Sequence, residues 1–330
     1  MAFLILKRLF YAAIVMLAVA FVAFLIFQFL GDPAQMLLGQ QATVEDLEEL
    51  RHRLGLDRSF FAQYLTYLGH ALQGDFGISY FKQRDVMSLI LERLPATVEL
   101  VLVSTVVALA VGTVFGVHVA LHPRTATSQA MRLFSFIGIS TPQFVIGIVL
   151  ILVFSVSLRW LPAFGRGEVV ALGNWWTTGL LTASGRIALI MPVTAMALYQ
   201  VSFIMRLMTA EMTEVLRTDH IKFSRARGLP DRIVHYRHAV KNCLMPVATM
   251  TGLLVGDLIA FAMVTETVFQ WPGLGLLFVE AVTLGDRPII AACLMVASFI
   301  IVSINTLVDI AYIVIDPRLR VSGKGGSSLA

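Results

Sequence analysis

Charge is scarce in this chain: only 14% of its 330 residues are Asp, Glu, Lys or Arg, against about a quarter in soluble domains. That deficit argues against a water-soluble globule. Cysteine is nearly absent as well. The two present, Cys243 and Cys293, stand in no zinc-ligand spacing with a histidine and are too few for a disulfide framework. Catalytic signatures are missing: there is no HExxH, no nucleophile elbow and no phosphate loop. The tail SGKGG holds a Gly-Lys pair, but no glycine precedes Gly323 by five residues, and Gly325 stands where a Ser or Thr would meet magnesium. No catalytic residue, metal ligand or cofactor site is therefore expected in this chain. If it moves a solute at the expense of ATP, another chain must bind the ATP and Mg.

What is abundant is hydrophobicity, at 58% of residues. Crossing a hydrocarbon core of about 30 Å takes roughly 20 apolar residues in a helix. Six segments qualify: Leu9–Leu30, Ala96–Leu121, Leu133–Leu158, Ile187–Met208, Val247–Val268 and Ile289–Ile315. None alternates as a barrel strand does. The expectation is an all-α integral membrane protein with six transmembrane helices. Lys7 and Arg8 precede the first run as in a secretory signal, but the run is too long and no small-residue cleavage site follows, so it reads as a retained helix. Cys243 and Cys293 open the fifth and sixth spans, toward opposite membrane faces, which makes a disulfide between them implausible.

Lys and Arg in short loops resist translocation. With the N-terminus inside, the cytoplasmic pieces carry Lys7 and Arg8, Arg124 and Arg132, seven basic residues from Arg217 to Lys241, and Arg318, Arg320 and Lys324. The short outer loops carry only Arg159, Arg166, Arg186 and Arg287. Both termini are thus expected in the cytosol. The net charge of +4 is this topogenic bias, so no nucleic-acid partner is expected. The division that follows is 1–30 for the N-terminus and first span, 31–93 for an external segment, and 94–330 for the core, with a cytoplasmic loop at 209–246. In the external segment Thr43 and Asp46 have capping-box spacing, and Phe60, Tyr64, Tyr67 and Leu68 share one helical face. Two amphipathic helices on the outer surface are expected, as a simple covering or as a platform for an external partner.

The cytoplasmic loop is the most charged stretch of the chain's second half: EVLRTDHIKFSRARGLP, residues 214–230. Glu214 to Arg227 reads as one helix ending at Gly228, where a left-handed residue can stop it. Pro230 and Asp231 open a second helix with Ile233, Tyr236, Val240 and Cys243 on one face. Such a basic amphipathic loop could rest on anionic lipid or serve as a peg for a partner. Within the spans, polar residues are expensive. Asp257 is the clearest candidate for a water-filled path, with Tyr199, Gln200 and Asn305 as companions. Asp309, Glu99, His118 and Glu266 fit interhelical or interfacial bonding. Gly112 with Gly116, and Gly252 with Gly256, give two GxxxG spacings that permit close helix approach.

These segments together resemble the permease subunits of bacterial ABC importers of the dipeptide, oligopeptide and nickel family. The likeness runs nearly end to end: LGDPAQMLLG (30–39), LGLDRSFFAQYLTYLGHALQGDFGIS (54–79), RLPATVEL (93–100), TPQFVIGIVLILVFS with RWLPAFG, RHAVKNCLMPV (237–247), ETVFQWPGLG (266–275) and NTLVDIAYIVIDPRLR near the C-terminus. The resemblance implies the type I ABC importer permease fold in a bacterial inner membrane, and half of a path that opens alternately to each side. It implies as partners a second permease, two ATPase subunits and an external solute-binding protein. Residues 214–230 look like the family's coupling loop, though EVL stands for EAA, SRARG for ARAKG, and Pro230 for a small polar residue. Two departures lie outside this stretch, Thr209 for a frequent basic residue and LGDRP for RDYP. Coupling to the ATPase is then expected of Glu214, Leu216, Arg217, Thr218, Asp219, Lys222, Phe223, Arg225 and Gly228, with Leu216 and Phe223 as apolar anchors. Peptides are the expected cargo, with nickel complexes or glycopeptides as alternatives. A rival of another class is an ion-coupled secondary transporter using Asp257 and Asp309.

Overall fold

The computed structural model describes residues 2–29, 43–53, 57, 59–173 and 175–315. Residues 30–39, which carry one of the motifs above, and the tail beyond 315 lie outside that set. Helices dominate. Helix α1 (Ala2–Phe29) is followed by the short α2 (Val44–Arg53) and α3 (Phe60–Leu72), then by α4 (Val86–Leu121), α5 (Ala126–Ser140) and α6 (Gln143–Leu150), the last continuing as a π-helical turn over Ile151–Ser157. A two-stranded antiparallel ribbon, β1 (Val170–Ala171) with β2 (Thr177–Thr178), precedes the long α7 (Ala183–Val215) and the short α8 (Asp219–Ala226). A turn at Asp231–Ile233 widens into a π-helical turn at Val234–Ala239 and leads into α9 (Val240–Val268). Helices α10 (Leu274–Leu284) and α11 (Arg287–Ile315) complete the described chain.

Among the described residues, five helical stretches are long and apolar enough to cross a membrane. The expected third span, Leu133–Leu158, is not one helix: α5 and α6 meet at a 110° bend. The cause is local. Pro142 has no N–H to donate and drives Thr141 out of the helical region, to φ −100° and ψ 127°. The pair still traverses the bundle, because α5 packs its Ser135 and Gly138 against the middle of α7 at Ser202 and Leu198, while the α6 end packs by Met191 and Phe269. A sixth crossing is therefore made by two half-helices.

Glycine spacing sets how the helices meet. A Cβ at Gly112 or Gly116 would lie 2.8 or 2.6 Å from the Cβ of Ile204 or Met208, so these two glycines seat α4 directly on α7. Gly252 and Gly256 do the same for α9, against Val308 and Asn305 of α11. Both GxxxG spacings are thus used inside the chain. The aromatic face of α3 packs on α1, with Phe24 5.2 Å from Phe60, 5.5 Å from Tyr64 and 5.8 Å from Tyr67 by ring centroid. The capping box forms as expected, with Asp46 N–H donating to Thr43 Oγ1 at 3.2 Å and Thr43 N–H to Asp46 at 3.3 Å.

At the end away from α8, three carboxylates tie the bundle together. Glu99 of α4 is ion-paired with the buried Arg166 and also accepts from the backbone N–H groups of Gly179 and Leu180, each at 3.0 Å. Glu266 accepts from Thr97 at 2.6 Å and from the N–H groups of Gly275 and Leu276 at 2.7 and 3.1 Å, in the first turn of α10, whose backbone donors have no partner within the helix. Asp286 accepts from Ser79 at 2.5 Å. Full satisfaction is what makes such burial tolerable, since an unpaired buried charge is costly. Cys243 and Cys293 are free, buried thiols in separate clusters.

Candidate functional site

Two places gather the residues singled out by the sequence. The first is the segment between α7 and α9. The sequence predicts one helix from Glu214 to Arg227, whereas the chain breaks at 216–218. Glu214 still belongs to α7, Leu216 closes that helix, and only from Asp219 does α8 begin. Thr218 makes the corner, its hydroxyl donating to the Val215 carbonyl at 2.6 Å, a bond that competes with helix continuation.

Helix α8 is held firmly from below. Ile221 is fully buried among Met212, Val234, Ala239 and Cys243. Leu216, expected as an outward anchor, is packed instead against this same cluster. Phe223 does face outward, at 63% exposure. Asp219 and Lys222 are exposed and paired with each other at 2.9 Å. Arg225 reaches Asp231 at 3.4 Å and His235 at 3.1 Å, and Asn242 reaches His220 at 3.2 Å, so the helix is also strapped to the chain that follows. Gly228 ends it at φ +77°. There its N–H donates to the Arg225 carbonyl at 2.9 Å and the N–H of Leu229 donates to the Ser224 carbonyl at 3.4 Å, the paired bonds that stop a helix through a left-handed residue. The product is a short rigid helix presenting Asp219, Lys222 and Phe223.

Ile221 was not among the sequence's candidates, yet it is the residue that fixes this helix. The signal was present: it is the one branched aliphatic side chain within DHIKFSRA.

The second place is a cavity of about 490 Å³ beside the bend between α5 and α6. Asp257 and Phe261 of α9, Tyr199 and Gln200 of α7, and Gln143 and Phe144 at the start of α6 all line it. Asp257 has no hydrogen-bond or ion-pair partner among the described residues. Gln200 donates to the Leu254 carbonyl at 3.3 Å, which leaves its Oε1 unpaired, and Gln143 Oε1 is likewise buried and unpaired. The exposed Asp257 carboxylate, without a donor, is the acceptor that this cavity offers, suited to an ammonium group or an amide N–H. Asn305 is not part of it. Its amide sits against Gly256, in the contact between α9 and α11. The separation reflects helical geometry, because Gly256 and Asp257 point about 100° apart on α9. Gln143 is the residue the sequence reading missed; it follows Pro142 at the break, where a polar side chain amid an apolar run is itself a cue.

Comparison with known proteins adds the following. Residues 112–321 match the family model described as binding-protein-dependent transport system inner membrane component, and residues 1–101 match the model for its N-terminal region. A putative peptide transport system permease protein of Brucella abortus is 34% identical over 97% of this chain and 99% of its own length. An oligopeptide transport system permease protein of Bacillus subtilis is 34% identical, covering 97% of this chain and all of that protein. A di/tripeptide transport system permease protein of Pseudomonas aeruginosa is 34% identical over 88% and 90% of the two chains.

Proposed function

Because the chain belongs to the binding-protein-dependent transport system inner membrane components, the permeases of type I ABC importers, we propose that it forms half of the path of a peptide importer and takes its driving force through α8. The chief support is the construction of α8: an exposed helix of eight residues, pinned by Ile221 and stopped by Gly228, on a chain whose sequence has no phosphate loop. A rigid peg with an apolar tip and a charged rim is the form that docks in a pocket of a partner. On this reading two ATPase subunits bind ATP and Mg, a second permease completes the path, and an external solute-binding protein delivers cargo. Asp219, Lys222 and Phe223 meet the ATPase, while Thr218, Arg225 and Gly228 set the angle. Glu214 and Arg217 flank the peg.

Peptide is the favoured cargo, since the relatives carry peptide permease names and the Asp257 carboxylate offers an acceptor for an amino group. Nickel complexes and glycopeptides are the alternatives. The ion-coupled reading fares worse, because Asp309, one of its two carriers, is paired with Arg8 at 2.9 Å. The complex that copurifies with this chain, placed in liposomes with its binding protein, should accumulate labelled dipeptide only when ATP is supplied. Uptake by this chain alone under a proton or sodium gradient would restore the ion-coupled reading.

The proposed setting is a bacterial inner membrane with both termini in the cytosol. Cysteine at the exposed Gly173 should react with an impermeant thiol reagent applied outside, and cysteine at the exposed Arg124 should not. The native thiols, Cys243 and Cys293, are buried and give little background. Labelling of position 124 from outside reverses the orientation.

A further inference from the structure

A second cavity, of about 710 Å³, lies where α5 and α7 approach α8. Three arginines line it: Arg132 from α5, Arg206 from α7 and Arg217 just past the end of α7. None has an ion-pair or hydrogen-bond partner for its side chain among the described residues. The carboxylate of Glu214 lines it too, leaving a surplus of two positive charges. The rest of the lining is largely apolar, with Val119 and Phe136.

Depth identifies what sits there. Helix α7 has 33 residues, about 50 Å of helix, some 20 Å more than the hydrocarbon core. Sharing that excess between its two ends places Arg206, nine residues before Val215, near the boundary of the core, from which its guanidinium reaches the headgroup layer. Arg217, two residues past Val215, starts on the aqueous side of that layer, and its long side chain reaches back toward it. A group with negative charge at headgroup depth and apolar chains below it matches both halves of the lining.

We infer that this cavity is a binding site for an anionic phospholipid of the leaflet facing α8, its phosphate held by Arg132, Arg206 and Arg217 and its acyl chain lying along the exposed Phe136. Guanidinium groups suit the task because they bind phosphate oxygens in pairs and are less strongly hydrated than ammonium, and basic pockets between spans at the cytoplasmic face are fitted to such headgroups. Which leaflet this is rests on the orientation proposed above. The lipid measurement itself needs neither transport nor ATP, so its failure leaves the transport reading standing.

The test uses the full chain, with the subunits that copurify, in nanodiscs of phosphatidylglycerol or of phosphatidylcholine, followed by native mass spectrometry of the lipid it retains. Wild type should retain phosphatidylglycerol and not phosphatidylcholine. The double variant Arg132→Gln/Arg206→Gln should lose it by roughly 30-fold, about fivefold for each arginine, while Arg124→Gln, on the same side but outside the cavity, should change nothing. Excess inorganic phosphate should not displace the lipid. Equal retention of the two lipids, unchanged retention in the double variant, or release by phosphate alone each overturns the assignment; the last would make it a site for a free anion. A double variant that drops the second permease while wild type holds both lipids equally would show the arginines facing a subunit instead. Should the double variant not survive purification, the wild-type comparison and Arg206→Gln, with its fivefold loss, decide.

Discussion

Gly228→Val should leave the protein inserted in the membrane and abolish ATP-driven uptake. A Cβ at this position would meet nothing within 4 Å, so crowding is not the cause. The backbone is: φ is +77°, where a β-branched side chain is strained by about 1–3 kcal/mol. Relieving that strain breaks the bonds from the N–H groups of Gly228 and Leu229 to Arg225 and Ser224, and the end of α8 unwinds or swings. Asparagine accepts the left-handed conformation better than other side chains, so Gly228→Asn should retain substantial uptake. The two variants separate geometry from bulk. Cysteine in place of Asp219, which is 96% exposed, should crosslink to the ATPase in wild type and lose that crosslink in the valine variant. Normal transport by Gly228→Val, together with no crosslink from α8 to any ATPase, would refute the coupling assignment.

Asp257→Asn should depress uptake of peptides with a free amino terminus while assembly and basal ATP hydrolysis persist. The substitution keeps the size of the side chain and removes only its charge. A hydrogen bond to a charged group contributes about 1.5–3 kcal/mol, which predicts a fall in kcat/KM of roughly ten- to hundredfold for such cargo. Cargo with a blocked amino terminus should show a much smaller change, since it presents no ammonium to the carboxylate. Equal losses for the two kinds of cargo would mean that Asp257 supports the helix contacts rather than the solute. Gln143→Leu offers an independent check: it removes the amide of a residue lining the same cavity and should weaken the same class of cargo without touching α9.

The number and position of the spans were legible from apolar runs, because a bilayer demands length and little else. What such runs do not encode is direction. Thr141 and Pro142 interrupt the third run without making it polar, so hydropathy passes over the 110° turn that the missing proline N–H and the restricted residue before it impose. The stop at Gly228 was legible for a related reason: glycine before a proline and an aspartate carries its backbone meaning locally. The start of α8 was not, since the choice between continuing α7 and breaking at Thr218 is settled by Ile221, whose pocket is built by Val234, Ala239 and Cys243 from the next segment. The pairing of Glu99 with Arg166, 67 residues apart, lay beyond reach altogether. Composition marks both as costly and says nothing of their meeting. Asn305 failed as a companion of Asp257 because a shared depth in the membrane does not mean a shared face.

The bend between α5 and α6 also bears on how the protein is made. A straight apolar helix has all its backbone groups satisfied within itself and can enter lipid as soon as it leaves the insertion machinery. A span broken at Ser140–Gln143 cannot, because the groups freed at the break need protein or water around them. The helices that cover it, α7 and α9, follow it in the chain. The third crossing must therefore be held at the lateral gate, or tolerated half-inserted, until later helices arrive to enclose it. Its final placement belongs to the end of biogenesis and not to its turn in the sequence.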